Sequence, residues 1–384
     1  MTAGFGTIDA YVATFSEEPG YFDFARVGPI GRTVEAEQHA QTRLQATARF
    51  GTLDSLWEQD ARVREAVALV VGLRADQVAF QPNTSQGLMH ALFGVTGGVA
   101  MSLAEFPSLT FAAARSAEAL GVVEPLWLET DHGRLTPGNL RDQLTSSVEA
   151  VAVSLVDFRT GYVADLEGIR QVIGDRLLIV DAIQGFGVVD APFELADVVV
   201  AGGQKWVRAG WGTGFLGLSD RAAERLTPVF SGFSGAANAE GEQSWTMPVD
   251  EVRAPAAGAA AFQVSNPDPI AQARFAAALE EIAAVGVPQI NALVAEKVSR
   301  VIDLADEYAI PVVSPRDESE RAGIVVLEPD PDQLTVLTAS LFNHGVSATS
   351  RDGQVRLSPH VSTSEDSLDM LRGSFVSFAT AIQI

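Results

Sequence analysis

The chain contains no cysteine, which excludes disulfides, thiolate metal sites and cysteine nucleophiles. Lysine is almost as scarce. Of 26 basic side chains only two, Lys205 and Lys297, are lysines, and arginine supplies the rest of the positive charge. The histidines (His39, His90, His132, His344, His360) are scattered, without the i, i+4 pairing of a helical zinc site, and this argues against a metal enzyme. No apolar run approaches the ~20 residues that a membrane span needs. Met1 to Tyr21 carries no basic residue and no long apolar block, so no export signal and a cytoplasmic location are expected.

Positive charge is short overall, with 26 basic against 49 acidic residues and a formal net charge of −23. Such a field repels nucleic-acid backbones, and no basic groove with aromatic platforms stands against it. Small anions can bind only where local donors overcome the global potential. Hydrophobic residues make up 47% and charged residues 20% of 384, the composition of a globular chain long enough for two domains.

Short apolar runs alternate with helical stretches. Two amphipathic helices are expected at 32–50 and 54–72, broken near Gly51. A strand ends at Phe80 before a helix near Ser85, and GGVAMSL leads to a helix from about Ser108 to Leu120. VVEPLW, VEAVAVSLV, RLLIV, ADVVVAGG and FLGLS read as further strands, with helices near 137–146 and 165–174 between them. This alternation predicts a mostly parallel α/β sheet covered on both faces. A long surface loop is expected at 231–245, then two helices over 270–308 separated at Gly286-Val287-Pro288. The last third is α+β in character. It is assigned, with residues 1–15, to a smaller domain beginning near 263, leaving 16–262 as the large domain.

Ligands of open parallel sheets bind at the carboxyl ends of the strands, and those ends carry a consistent set of residues. After Phe80 comes QPNTSQG, opening a helix whose N–H groups, with the hydroxyls of Thr84 and Ser85, could hold a phosphate; taken alone, an N-cap by Asn83 or Thr84 explains it as well. Asp181 ends RLLIV. A carboxylate among apolar neighbours needs a partner, and a pyridinium N–H, a magnesium ion or a structural ion pair would each serve. Gln204, Lys205 and Trp206 follow ADVVVAGG. A lysine here can be desolvated to the neutral amine that attacks an aldehyde, or can snorkel at a domain edge; in an arginine-using protein the first reading is preferred. Lys297 is explained by the polar side of a helix, near Arg300. In QVRLSPH, Arg356 points away from Val355 and Leu357, either as a bidentate carboxylate clamp or as a solvated strand arginine. Gly212, Gly214 and Gly217 satisfy GxGxxG but run into a strand instead of a helix, so a nicotinamide site is discounted.

With these residues in place the chain resembles the class V aminotransferase family of fold-type I pyridoxal-phosphate (PLP) enzymes: cysteine desulfurases, kynureninases, isopenicillin N epimerase-like proteins and several aminotransferases. YFDFARVGPI is similar to the family's opening segment, QPNTSQG to its phosphate loop, VDAIQ to its Asp-x-x-Gln element, GGQKW to its Schiff-base lysine segment and RLSPHVSTSED to its C-terminal arginine motif. The likeness implies a PLP-dependent transferase fold, with a mostly parallel seven-stranded sheet flanked by helices and a smaller α+β domain. It implies pyridoxal 5'-phosphate on Lys205 as a Schiff base, with Phe106 stacked on the ring, Asp181 on the pyridine nitrogen and Gln184 near the phenolic oxygen. Thr84 and Ser85 would hold the phosphate, Gln204 and Asn266 would lie on the cofactor, and Arg356 would take the substrate carboxylate. Relatives are homodimers with interface sites, so the 231–245 loop and the 263–266 segment are expected to reach a partner's cofactor. Departures are Gln204 in place of histidine, Gly202 in place of serine or threonine, Phe158 in place of asparagine, and Ser265-Asn266 in place of a Gly-Thr pair.

The resemblance implies that Lys205, displaced by an amino-acid amine, serves as general base. Transamination is the reading carried forward, with C–S or C–C lysis or epimerisation as alternatives. A persulfide-forming desulfurase is excluded for want of a cysteine. Two rivals stand apart: a non-catalytic PLP-binding protein, and an unrelated α/β enzyme that uses Lys205 structurally.

Overall fold

The computed structural model describes residues 6–237 and 251–382; residues 238–245 of the expected loop lie outside them. A seven-stranded sheet forms the centre. Its strands are β1 (Val78–Phe80), β2 (Gly97–Ser102), β3 (Val123–Leu128), β4 (Val148–Ser154), β5 (Leu177–Asp181), β6 (Val198–Gly202) and β7 (Gly214–Leu218), in the order β1-β7-β6-β5-β4-β2-β3. Only β7 runs against its neighbours; β6, β5, β4, β2 and β3 are parallel. The mostly parallel sheet anticipated from the apolar runs is therefore present.

Those runs are continuous because helices cover both faces. Leu178, Val180, Val199 and Ala201 pack into one core, while Leu177, Ile179, Val198 and Val200 pack into the other, as the two-residue strand period requires. The second core is closed by the helices Thr84–Gly94 and Pro107–Leu120, and the first by Thr52–Val71 and Pro269–Val285. Chain order proceeds one way along β4-β5-β6 and the other way along β2-β3, so the switch point lies between β4 and β2.

A smaller antiparallel sheet, β8 (Val325–Leu327), β9 (Thr349–Arg351) and β10 (Gln354–Leu357), is ordered β8-β10-β9. The helix Pro269–Val285 begins past residue 263, yet Phe275 lies against Phe80, Phe186 and Phe215 of the large layer. At Gly286 this helix meets Val287–Glu307 at 86°. The N-terminal segment is fastened by a buried ion pair between Glu17 and Arg208, whose guanidinium stacks 3.7 Å above the Phe15 ring. No single helix among the described residues is long and apolar enough to cross a membrane.

Candidate active site

Lys205 sits in a tight turn just past β6. Gly203 N–H donates to Thr213 O at 3.0 Å, Arg208 N–H to Lys205 O at 3.1 Å and Ala209 N–H to Gly203 O at 2.8 Å. Arg208 has φ +60, a left-handed conformation uncommon for a residue with a side chain. The opening segment backs this turn. Gly28 N–H donates to Gln204 O at 2.9 Å, and a Cβ on Gly28 would stand 2.1 Å from the Lys205 carbonyl oxygen. Lys205 Nζ lies 5.7 Å from the centroid of the Phe106 ring. Burial pushes the ammonium down to about 8; the Asp181 carboxylate opposes that shift and the Arg356 guanidinium adds to it.

Asp181 ends β5 and is 1% exposed. Its Oδ1 accepts the Ile183 N–H at 3.1 Å, and its Oδ2 has no partner. Burial raises its carboxyl to about 6, with the Ile183 N–H and the Lys205 charge pulling the other way. Each of the two groups thus feels the other's charge. Beside Asp181 in register is Ser154 of β4, whose N–H (3.1 Å) and hydroxyl (2.5 Å) both donate to Glu105. Burial pushes Glu105 up to about 7 against those two hydrogen bonds. The sequence analysis passed over Glu105; its place directly before Phe106, past the end of β2, was the available signal.

Asn83 caps the helix Thr84–Gly94, accepting from Gln86 N–H at 2.9 Å. The capping explanation therefore belongs to Asn83 and leaves the buried Thr84 hydroxyl without a partner. Ser85 shares a hydrogen bond with Ser108 at 2.7 Å. A Cβ on Gly202 would lie 3.0 Å from Thr84 Oγ1 and 2.3 Å from Gln204 Oε1, so Gln204 fills the space that a serine or threonine at 202 would need. The two departures noted in the sequence are one steric exchange. Asn266 is not brought to this cleft; it is exposed and accepts from Ser234 at 3.0 Å.

A cleft of about 610 Å³ is lined by Phe106, Phe158, Gln184, Lys205, Arg351 and Arg356 among others. Gln184 is largely committed, donating to Ala25 O and accepting from Trp206 Nε1, each at 3.0 Å. Arg356 donates to Phe158 O at 3.1 Å and lies 3.7 Å from Asp23, while its buried Nε has no partner. Its terminal nitrogen Nη2 also donates to Thr349 Oγ1 at 3.4 Å, so that Asp23 is a loose partner and Nε the donor left free. Lys297 behaves as the sequence suggested, 3.8 Å from a Glu365 carboxylate that Arg300 shares.

This donor set fits pyridoxal 5'-phosphate. It has a buried amine for the aldehyde and an unpartnered carboxylate oxygen for a ring N–H. At a helix N-terminus it has an unpartnered hydroxyl for a phosphate, and Phe106 lies beside the amine. The family described as Aminotransferase class-V matches residues 32–384. A cysteine desulfurase from Thermococcus onnurineus NA1 has the same fold, with TM-score 0.80 at 20% identity over 92% of this chain and 93% of that one. The cystine C-S lyase C-DES, in complex with its product cysteine persulfide, gives 0.81 at 18% over 94% and 97%. The cysteine desulfurase CsdA from Escherichia coli gives 0.79 at 15% over 98% and 99%. No curated protein sequence matches the chain.

Proposed function

The chain belongs to the class V aminotransferase family and is a PLP-dependent enzyme, and from that premise we propose that it cleaves the C–S bond of an amino acid by β-elimination. The carrying observation is that Lys205 and Arg356, an amine and a guanidinium with one unpartnered N–H, line one cleft. When bound, the cofactor supplies an electron sink for the pair left by the α-proton.

The chain's own residues take the remaining tasks. Lys205 would hold the cofactor through its amine, and its Nζ, when free, would accept the Cα proton of the substrate. Its amine is partly neutral near pH 8 because burial disfavours the ammonium. Asp181 Oδ2 would take the ring N–H and keep that nitrogen protonated. Thr84 and Ser85, with the N-terminus of their helix, would hold the phosphate, with Gln204 nearby. Phe106 would lie against the ring and Gln184 near the phenolic oxygen. Arg356 grips the α-carboxylate and so sets which bond at Cα faces Lys205. The α-proton's electron pair becomes the Cα–Cβ double bond as the Cβ–S bond breaks, and sulfur departs with the pair it shared.

One point favours lysis over transamination: the fold likeness includes a C–S lyase over nearly the full length of both chains. Without cysteine the protein has no thiol of its own to take up sulfur, which sets lysis apart from persulfide-forming desulfuration. Transamination, favoured from the sequence alone, is the second reading and rests on the family's description. The two separate in a product assay. Lysis of a thioether amino acid consumes one water and releases a keto acid, ammonia and a thiol without any keto-acid acceptor. Product formed only when an acceptor is added would overturn lysis in favour of transamination. We also propose a homodimer in which the exposed Asn266 segment reaches a second copy's cleft; a monomer by light scattering would refute it.

A further inference from the structure

Four of the chain's arginines line the Lys205 cleft: Arg26, Arg159, Arg351 and Arg356. In a protein of net charge −23, this local excess is the feature that the amino-acid reading leaves unexplained. Arg159 is neutralised by Asp157 at 2.6 Å, and Arg356 is assigned to the α-carboxylate. Arg351 has no hydrogen bond or ion pair among the described residues. Arg26, 74% exposed, approaches Asp23 only to 3.8 Å.

The hairpin register sets the exposed Arg351 beside Arg356. Arg356 pairs with Thr349 and Gln354 with Arg351, so Arg351 and Arg356 share a face as diagonal cross-strand neighbours, roughly 7–8 Å apart at Cα. Like charges in that relation repel, and Arg351 adds to the field felt by Arg356. An anion between or beyond them removes the conflict. Asp352 also lines the cleft but makes no ion pair with Arg351.

We infer that Arg351, with Arg26, receives a second anionic group, so that the substrate is an amino acid whose side chain ends, beyond the cleaved bond, in a carboxylate or sulfonate. The inference rests on the reading of Arg356 as the α-carboxylate clamp. Under it the leaving half of the substrate is the anionic half, and the local guanidinium groups offset the repulsion of a dianion by the acidic surface.

The test is direct binding to the PLP-loaded protein, by calorimetry, of glutarate and 3-sulfopropanoate against butanoate. A parallel arm follows the cofactor absorbance with S-carboxymethyl-L-cysteine against S-ethyl-L-cysteine. Dianions should bind about ten-fold or more tightly than monoanions, the effect of one charge-assisted contact. Arg351→Gln should abolish most of that preference while the monoanion's affinity holds, and Arg26→Gln should reduce it further. A preference for glutarate alone or for the sulfonate alone assigns the anion within the class. Equal binding of dianions and monoanions, or a preference that survives Arg351→Gln in a variant of unchanged melting temperature, overturns the inference and leaves the amino-acid reading standing. If neither kind of ligand binds and neither cysteine derivative perturbs the cofactor, the amino-acid reading itself fails, and the inference with it.

Discussion

Asp181 ends β5 and Lys205 follows the neighbouring parallel strand β6, and each shifts the other's titration: the carboxylate holds the ammonium up and the ammonium holds the carboxyl down. Burial outweighs this attraction for both. Asp181 rises to about 6 and Lys205 falls to about 8, so above pH 6 the carboxylate is charged while the amine is still becoming neutral. The rate at which apoprotein takes up pyridoxal phosphate should therefore climb through about pH 8 and level off. Removing the negative charge takes away the influence that raises Lys205, so Asp181→Asn should move that midpoint to lower pH. Stopped-flow absorbance at the cofactor band measures it, and a midpoint unmoved by Asp181→Asn would count against the coupling.

Thr84 offers a test with opposite signs in the two states. Its buried hydroxyl has no partner in the protein, and an unsatisfied buried donor costs about 1–3 kcal/mol. Thr84→Val keeps the β-branched shape and removes that group. The apoprotein should keep or gain stability in urea, while affinity for the cofactor drops roughly ten-fold through loss of one charge-assisted hydrogen bond. Equal cofactor affinity in the variant would take Thr84 off the phosphate.

The difference between what was legible in the sequence and what was not is physical. Strands β4 to β6 could be read because burial on both faces demands unbroken apolar runs, and Lys205 because lysine is almost absent elsewhere. Glu105 was missed because an acidic residue after a strand has the composition of a solvated turn; only the fold brings Ser154 over it. Arg351 and Arg26 were missed because their meeting depends on a small sheet packing against the opening segment. Glu17 and Arg208 are far apart in sequence and form their pair only in the folded chain. The boundary near 263 was read from the change to an α+β pattern, and a pattern along the chain does not register that the helix Pro269–Val285 packs back over Phe80 and Phe215.

Arg356 gives one N–H to Phe158 O and a long one to Thr349 Oγ1, stands 3.7 Å from Asp23, and keeps its Nε donor without a partner. Arg356→Met preserves much of the apolar stem and deletes the clamp. Hydrogen bonds to a charged group are worth about 1.5–3 kcal/mol, so kcat/KM should fall roughly 10- to 100-fold, and more if the lost grip also misaligns Cα. The cofactor spectrum without substrate should stay unchanged, since Arg356 is assigned to the substrate. Steady-state kinetics with a thioether amino acid would show it; an unchanged kcat/KM would remove Arg356 from the substrate site.

Gly28 tests whether the opening segment positions the lysine turn. Its φ is negative, so strain is not the issue; the obstacle is the Lys205 carbonyl, 2.1 Å from where a Cβ would sit. Neither backbone can yield without disturbing the Gly28 N–H to Gln204 O bond. Gly28→Ala should destabilise by about 1–3 kcal/mol, the usual range for overpacking, and should also weaken cofactor retention because the displaced element carries Lys205. Thermal melts of apo and loaded protein separate the two effects. A variant with normal melting and normal cofactor affinity would show that the two segments are not in contact.

Glu105 makes a stability prediction whose sign follows from its raised carboxyl. The folded group titrates at about 7 and the unfolded group at about 4.5. A carboxyl raised on folding binds its proton more tightly in the native state, so its contribution is complete below pH 4.5 and is lost as pH rises through 7. That difference corresponds to at most about 3 kcal/mol. Glu105→Gln cannot ionise and can still accept from Ser154, so it removes this pH dependence and keeps part of the geometry. Urea unfolding of the apoproteins at pH 5 and pH 8 should show wild type losing stability relative to the variant over that interval. The acidic surface repels itself increasingly over the same range, but it does so in both proteins and cancels in the comparison. Parallel stability curves would mean that Glu105 titrates normally, and that the Ser154 hydroxyl and N–H outweigh its burial.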